Sequence, residues 1–261
     1  MTVFTADQIE ALRDFARLWS PERFAVIGAS ALACFMDMRW RKTHDLDLAL
    51  ATSLEDLSIS LDSLPGWAPD PQIEHRWLAP GDVRVDIVPA GSEALQRGEL
   101  IWPKSGRRMS LLGFRLAFEQ SLPVQFSADL TVRVAPIPVL VVLKIAAYIE
   151  APYERARDLE DIAYALEDFV GSATEERYSD EVIDAGLTYE EVSPFLLGRR
   201  IGAIVNDAEK EMVEGFLRVV EEEGGGGGTQ ARMLVSGPPA WRRDPTTMLR
   251  CVRAFRRGFT R

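Results

Sequence analysis

The stretch that decides the fold is Phe24-Ala-Val-Ile-Gly-Ala-Ser-Ala-Leu-Ala33 together with Arg41-Lys-Thr-His-Asp-Leu-Asp-Leu48. Phe24 to Ile27 is a short apolar run of strand length. It stops at Gly28, and Ala29 to Met38 holds good helix formers with few strand signals. Asp45 to Leu50 then alternates, with Asp45 and Asp47 on one face and Leu46, Leu48 and Leu50 on the other, the period-2 pattern of a half-buried strand. A glycine ending a strand lets a phosphate approach the backbone, and the amides of the helix start that follows offer an anion site, to which Ser30 can add a hydroxyl. Asp45 and Asp47 leave one strand face about 6.5–7 Å apart, close enough for both carboxylates to share divalent metals.

Working outward, Thr5 and Gln8 form a capping-box pattern ahead of Ile9, Leu12, Phe15 and Ala16, so residues 6–19 read as an amphipathic helix. Ser53 caps another helix. Val83 to Val88 alternates again, with Val85 and Ile87 opposed to Arg84 and Asp86, and residues 128–135 read as a further strand. From Pro138 the pattern becomes helical, over 138–150, 153–169, 192–204 and 207–222, without internal repeats. The expected fold class is an α/β (α+β) domain with a mixed sheet over residues 1–136, followed by an α-helical domain over 137–223.

The run Gly224 to Gly228 reads as a poly-glycine linker, because five residues without side chains have maximal backbone entropy and nothing to pack. It also divides the charge. The chain of 261 residues has a net charge of −10, but residues 1–228 hold 22 basic and 39 acidic side chains, whereas the tail 229–261 holds eight Arg and one Asp. An acidic body argues against generic nucleic-acid binding, which draws its affinity from Lys and Arg neutralising phosphates. The tail places Leu249, Val252, Phe255 and Phe259 near one face and its arginines mostly elsewhere, a basic amphipathic helix that suits RNA or the acidic body, with docking on the body as the default. Cys34 and Cys251 stand far apart and form no metal-type spacing, which fits a reduced, cytoplasmic setting. No export signal and no stretch of membrane-spanning length is recognisable, so no membrane association is expected.

Three converging acids require a cation, since their mutual repulsion otherwise raises their pKa values. Asp86, on a later strand, is the natural third member beside Asp45 and Asp47, with Mg²⁺ or Mn²⁺ as the cation. Gly28, Ala29 and Ser30 at a strand-to-helix turn, the Asp45-Leu-Asp47 strand and Asp86 together resemble the DNA-polymerase-β-like nucleotidyltransferase superfamily. The fuller wording, Ile27-Gly-Ala-Ser-Ala-Leu32 with Arg41, Thr43 and Asp45-Leu-Asp-Leu48, is most similar to its AbiEii-like branch of abortive-infection and toxin-antitoxin systems, differing by the alanine between Gly28 and Ser30.

The resemblance implies transfer of a nucleoside monophosphate from a nucleoside triphosphate to an acceptor hydroxyl. Asp45, Asp47 and Asp86 would bind metal and act in catalysis, and Gly28, Ala29, Ser30, Arg41, Lys144 and Asp158 would bind nucleotide. It leaves open a tRNA 3′ end, a protein or a small molecule as acceptor, and adds a cognate antitoxin protein as partner. Lys144 is the only charged residue between Val134 and Ile149, and a snorkelling lysine explains it equally. Asp158 and Asp161 lie on the next helix, where Arg157 and Asp161 also make a structural i, i+4 pair. Arg41 and Arg84 suit phosphate, or offset neighbouring acids. His44, beside Asp45, reads as a hydrogen-bonded neighbour rather than a catalytic base. Two alternatives stand beside this reading: an aminoglycoside-type small-molecule nucleotidyltransferase, which the acidic body suits, and a non-catalytic nucleotide-binding partner module.

Overall fold

The computed structural model describes residues 4–38, 43–172, 174–222 and 228–261. The chain divides into two compact units, Met1–Leu140 and Val141–Arg261, with the boundary inside the helix Ile137–Glu150.

The first unit carries the strands β1 (Phe24–Ile27), β2 (Leu46–Leu50), β3 (Ala68–Pro69), β4 (Arg76–Ala79), β5 (Val83–Pro89), β6 (Glu99–Ile101), β7 (Arg108–Ser110), β8 (Leu122–Ser127) and β9 (Leu130–Val134). Seven of them form one mixed sheet in the order β3, β4, β5, β2, β1, β9, β8, and β6 pairs with β7. The pairing of β1 with β2 is antiparallel, that of β2 with β5 parallel, and that of β5 with β4 antiparallel. The centre of the sheet follows the apolar pattern: all four residues of β1 are buried, as are Leu46, Leu48 and Leu50 of β2 and Val85 and Ile87 of β5.

The helix Ala6–Leu18 starts at the Thr5–Gln8 capping box and buries Leu12 and Phe15 completely. Phe15 meets the rings of Trp19, Trp67 and Phe24 at centroid distances of 4.8, 5.5 and 5.8 Å. Ser53 caps Leu54–Leu61 by accepting from the Asp56 amide. The expected strand over 128–135 is the second arm of the β8–β9 hairpin. The helix expected from Ala29 to Met38 covers Gly28–Phe35. The strands β3, β4, β6, β7 and β8 go beyond the sequence reading, because they are short or largely solvent-facing and so lack a long alternation.

The second unit is helical, with Ala156–Asp168, Tyr189–Gly202, Asp207–Glu221, Thr229–Ser236 and Pro245–Phe259 as its longer members. Residues 229–261, expected as a separate basic tail, lie inside this unit. Phe255 and Phe259 are buried on the apolar face of Pro245–Phe259. Arg256 pairs with Glu221 at 2.9 Å, and Arg257 donates to the Ala185 carbonyl, so part of the basic face is met locally. The linker residues 224–227 fall outside the described residues. Among the described residues no helix is long and apolar enough to cross a membrane.

Backbone closeness holds the last helix in place. A Cβ at Gly198 would lie 2.1 Å from the Phe255 carbonyl oxygen, and one at Gly258 would lie 2.0 Å from that of Phe195. Only hydrogen side chains permit this approach. Gly258→Ala therefore destabilises the protein by about 1–3 kcal/mol through overpacking, measured by denaturant unfolding. Gly215, in the helix Asp207–Glu221, has nothing within 4 Å of its virtual Cβ. Gly215→Ala raises stability by up to about 1 kcal/mol, because alanine is the better helix former.

Candidate functional site

The sheet register assembles the site. Ile27 of β1 stands opposite Asp47 of β2, Asp47 opposite Asp86 of β5, and Asp86 opposite Arg76 of β4. Cross-strand partners project to the same face, so Asp47, Asp86 and Arg76 form one row of side chains. The Arg76 guanidinium donates from Nε to Oδ1 of Asp86 at 2.7 Å and from Nη2 to Oδ2 of Asp86 at 2.9 Å. The same Nη2 reaches Oδ2 of Asp45 at 3.3 Å. The side chains of Arg76 and Asp86 are 15% and 18% exposed, so water screens this bidentate pair only partly. The hydrogen bond to Asp86 holds the guanidinium above its usual basicity, against the lowering effect of burial. His75 joins at the rim, with Nε2 at 3.8 Å from Oδ2 of Asp86 and its ring 5.7 Å from that of Trp102.

Asp45 stands one residue before β2 rather than on the strand with Asp47. Asp47 lies against the glycine turn: Gly28 has φ +67°, and a Cβ there would fall 2.1 Å from Oδ2 of Asp47. Gly28 and Ala29 open the helix Gly28–Phe35, whose N-cap residue, Ile27, makes no side-chain capping hydrogen bond. Ser30 is fully buried and its hydroxyl donates to the Ile27 carbonyl at 3.3 Å, so the hydroxyl expected at a phosphate is engaged by the backbone. Arg41 lies outside the described residues. His44 is exposed, and its carbonyl accepts from Gln8 Nε2 at 2.9 Å.

The carboxylates are hard oxygen donors, the chemistry that Mg²⁺ and Mn²⁺ prefer. Asp45 and Asp86 already converge on one cationic atom, Nη2 of Arg76. The pair fits a shared cation, and the guanidinium holds that position. Among the described residues no group of three His, Cys, Asp or Glu side chains is spaced to hold a metal ion.

In the second unit Lys144 is buried and pairs with Asp161 at 2.6 Å and with Asp158 at 3.0 Å. Burial alone would lower the ammonium's pKa; the charges of Asp158 and Asp161 outweigh it and raise the value. Asp161 is completely buried. Lys144 and Asp158, expected at the nucleotide, thus meet each other in an ion cluster that ties Ile137–Glu150 to Ala156–Asp168.

Sequence reasoning missed Arg76 and His75. The signal for Arg76 was the turn Pro80-Gly81-Asp82 between apolar arms: pairing Ala79 with Val83 and counting outward brings Arg76 opposite Asp86. His75 precedes β4 and carries no periodic signal.

No protein-family model matches the chain, and no curated protein matches it. Solved structures that are distantly similar include two nucleotidyltransferase-like proteins. One is an antigenic nucleotidyltransferase-like protein from Paracoccidioides brasiliensis, at 16% identity and TM-score 0.41, over 70% of this chain and 85% of that one. The other is a provisionally named nucleotidyltransferase from H. pylori, at 10% identity and TM-score 0.36, over 98% of this chain and 96% of that one.

Two substitutions probe these contacts. Gly28→Ala sets a methyl against the Asp47 carboxylate at a left-handed backbone position, so the melting temperature falls by several degrees, read by calorimetry. Lys144→Met leaves Asp158 and Asp161 without their ammonium and costs about 3–5 kcal/mol at neutral pH. Because the folded lysine's pKa is raised, its contribution is complete below the unfolded value of about 10.4 and is lost only above the folded value. Unfolding titrations therefore show a constant difference between wild type and variant from neutrality to about pH 10, narrowing at higher pH.

Proposed function

We propose that the chain is a metal-dependent nucleotidyltransferase of the AbiEii-like kind, moving a nucleoside monophosphate from a nucleoside triphosphate to an acceptor hydroxyl. One observation carries this reading: Asp47 and Asp86 stand in register on adjacent strands, beside a helix opened by a glycine that lies against Asp47. The first-turn amides of Gly28–Phe35, which lack partners within the helix, would hold phosphate oxygens together with the helix dipole. That role falls to the backbone of Gly28, Ala29 and Ser30, since the Ser30 hydroxyl donates to Ile27. Arg41 keeps its phosphate-facing role in the proposal.

Asp86 would orient the acceptor hydroxyl in line with the α-phosphorus. The acceptor oxygen bonds to that phosphorus as the bond to the β-phosphate bridge breaks, the hydroxyl proton passes to a carboxylate, and pyrophosphate leaves. Asp45, Asp47 and Asp86, which are not spaced around one point while Arg76 grips two of them, would hold Mg²⁺ or Mn²⁺ once drawn together, and such an ion would supply charge neutralisation and activation of the hydroxyl. The buried pairing of Lys144 with Asp158 and Asp161 supports a structural role for that cluster, and we assign it no contact with nucleotide.

A tRNA 3′ end, a protein and an aminoglycoside-type small molecule remain the acceptor classes, and a cognate antitoxin and a cytoplasmic setting belong to the same proposal. The grip of Arg76 on two of the three acids favours one other reading, a non-catalytic nucleotide-binding partner module.

The test incubates the full chain with each α-labelled nucleoside triphosphate, Mg²⁺ or Mn²⁺, and RNA, protein and small-molecule acceptors, and identifies labelled products by sequencing and mass. Transfer occurs with the wild-type chain, and Asp47→Ala and Asp86→Ala each reduce it roughly 100-fold or more, the scale of removing a group that stabilises transition-state charge. Metal-dependent nucleotide binding without transfer to any acceptor would instead establish the partner module.

A further inference from the structure

Arg76 is the one residue of the row to which the proposed transfer gives no task, and it has the closest grip on the acids. Its fork takes both oxygens of Asp86, at 2.7 and 2.9 Å, and reaches Asp45 at 3.3 Å. A guanidinium bound edge-on in this way takes one in-plane lone pair on each Asp86 oxygen and sets a positive charge where a divalent cation would sit between Asp86 and Asp45. The position is built into the fold: β4 and β5 pair antiparallel with Arg76 directly opposite Asp86. The segment just before β4 is anchored as well, because the Glu74 carboxylate accepts from the amides of Lys104 and Ser105 at 2.5 and 3.2 Å and from the Ser105 hydroxyl at 2.8 Å.

We propose that Arg76 is an internal counter-cation of the acidic row, competing with divalent metal for Asp86 and Asp45 and holding the site closed to metal until the guanidinium is drawn away. This rests on the reading of those acids as a metal site and adds its control. A divalent cation brought to the same lone pairs loses them to the guanidinium and meets its positive charge at close range, so the affinity for metal is reduced to the fraction of time those lone pairs are free of Arg76. Any anion that attracts Arg76 more strongly than Asp86 does raises metal affinity, and by linkage bound metal favours that anion equally. Phosphate suits the exchange, since the guanidinium fork matches its oxygens as it matches a carboxylate.

The experiment measures Mn²⁺ affinity of the full chain without nucleotide, from the electron paramagnetic resonance signal of free Mn²⁺. Arg76→Gln, which keeps a polar side chain but no charge, binds Mn²⁺ at least tenfold more tightly than wild type, and adding Asp86→Asn to it abolishes the gain. If Arg76→Gln shows no cooperative unfolding transition, Arg76→Lys carries the test. Its single ammonium cannot hold both Asp86 oxygens, and Mn²⁺ affinity rises severalfold. Equal Mn²⁺ binding by wild type and the Arg76 variants overturns the role of Arg76 and leaves the metal site standing. No Mn²⁺ binding by any of them overturns both. Tight binding that survives Asp86→Asn puts the metal elsewhere and also overturns the proposal.

Discussion

Like charges brought side by side in a sheet must be met by a cation, and the first unit is arranged around that requirement. Asp47 and Asp86 are direct partners on parallel strands, with Asp45 one residue before the strand. Their repulsion would weaken the pairing of β2 with β5 if nothing opposed it. The opposing charge comes from β4, whose antiparallel register places Arg76 opposite Asp86. The apolar residues alternating with these acids, Leu46, Leu48, Val85 and Ile87, are completely buried and anchor the same strands from the other face. One set of side chains holds the sheet while the other concentrates charge at its surface.

The same rule governs the second unit under stricter conditions. Lys144 and Asp161 are buried far more deeply than the acidic row, and a charge removed from water is tolerated only when paired and hydrogen-bonded. The ammonium meets two carboxylates from the neighbouring helix. In the first unit the guanidinium and its acids stay partly exposed, so water screens their pairing to some degree.

Much of this was legible from residue order. The Thr5–Gln8 capping box, the apolar run ending at Gly28 and the alternation through Asp45-Leu-Asp-Leu48 are local patterns, and local patterns suffice for local structure. So the helix Ala6–Leu18 and the strands β1, β2 and β5 appear where the pattern predicts them. The basic tail was read as a separate piece because the glycine run and the change of charge sign both suggested a break. Its contacts with Tyr189–Gly202 depend on Gly198 and Gly258, residues far apart along the chain whose significance appears only when two helices touch.

By itself the sequence determined an α/β region followed by helices, the glycine turn, and three aspartates on strands or at their edges. Spacing and composition carry that information because backbone geometry repeats every two residues in a strand and every 3.6 in a helix. Only the tertiary structure decided what those aspartates meet. That depends on strand order and register, which join residues tens of positions apart: Asp47 to Asp86, and Asp45 to Arg76. Packing of neighbouring helices, not strand register, joined Lys144 to Asp158 and Asp161. A side chain's charge is written in the sequence, but its partner is set by which surfaces the fold brings within a few ångströms.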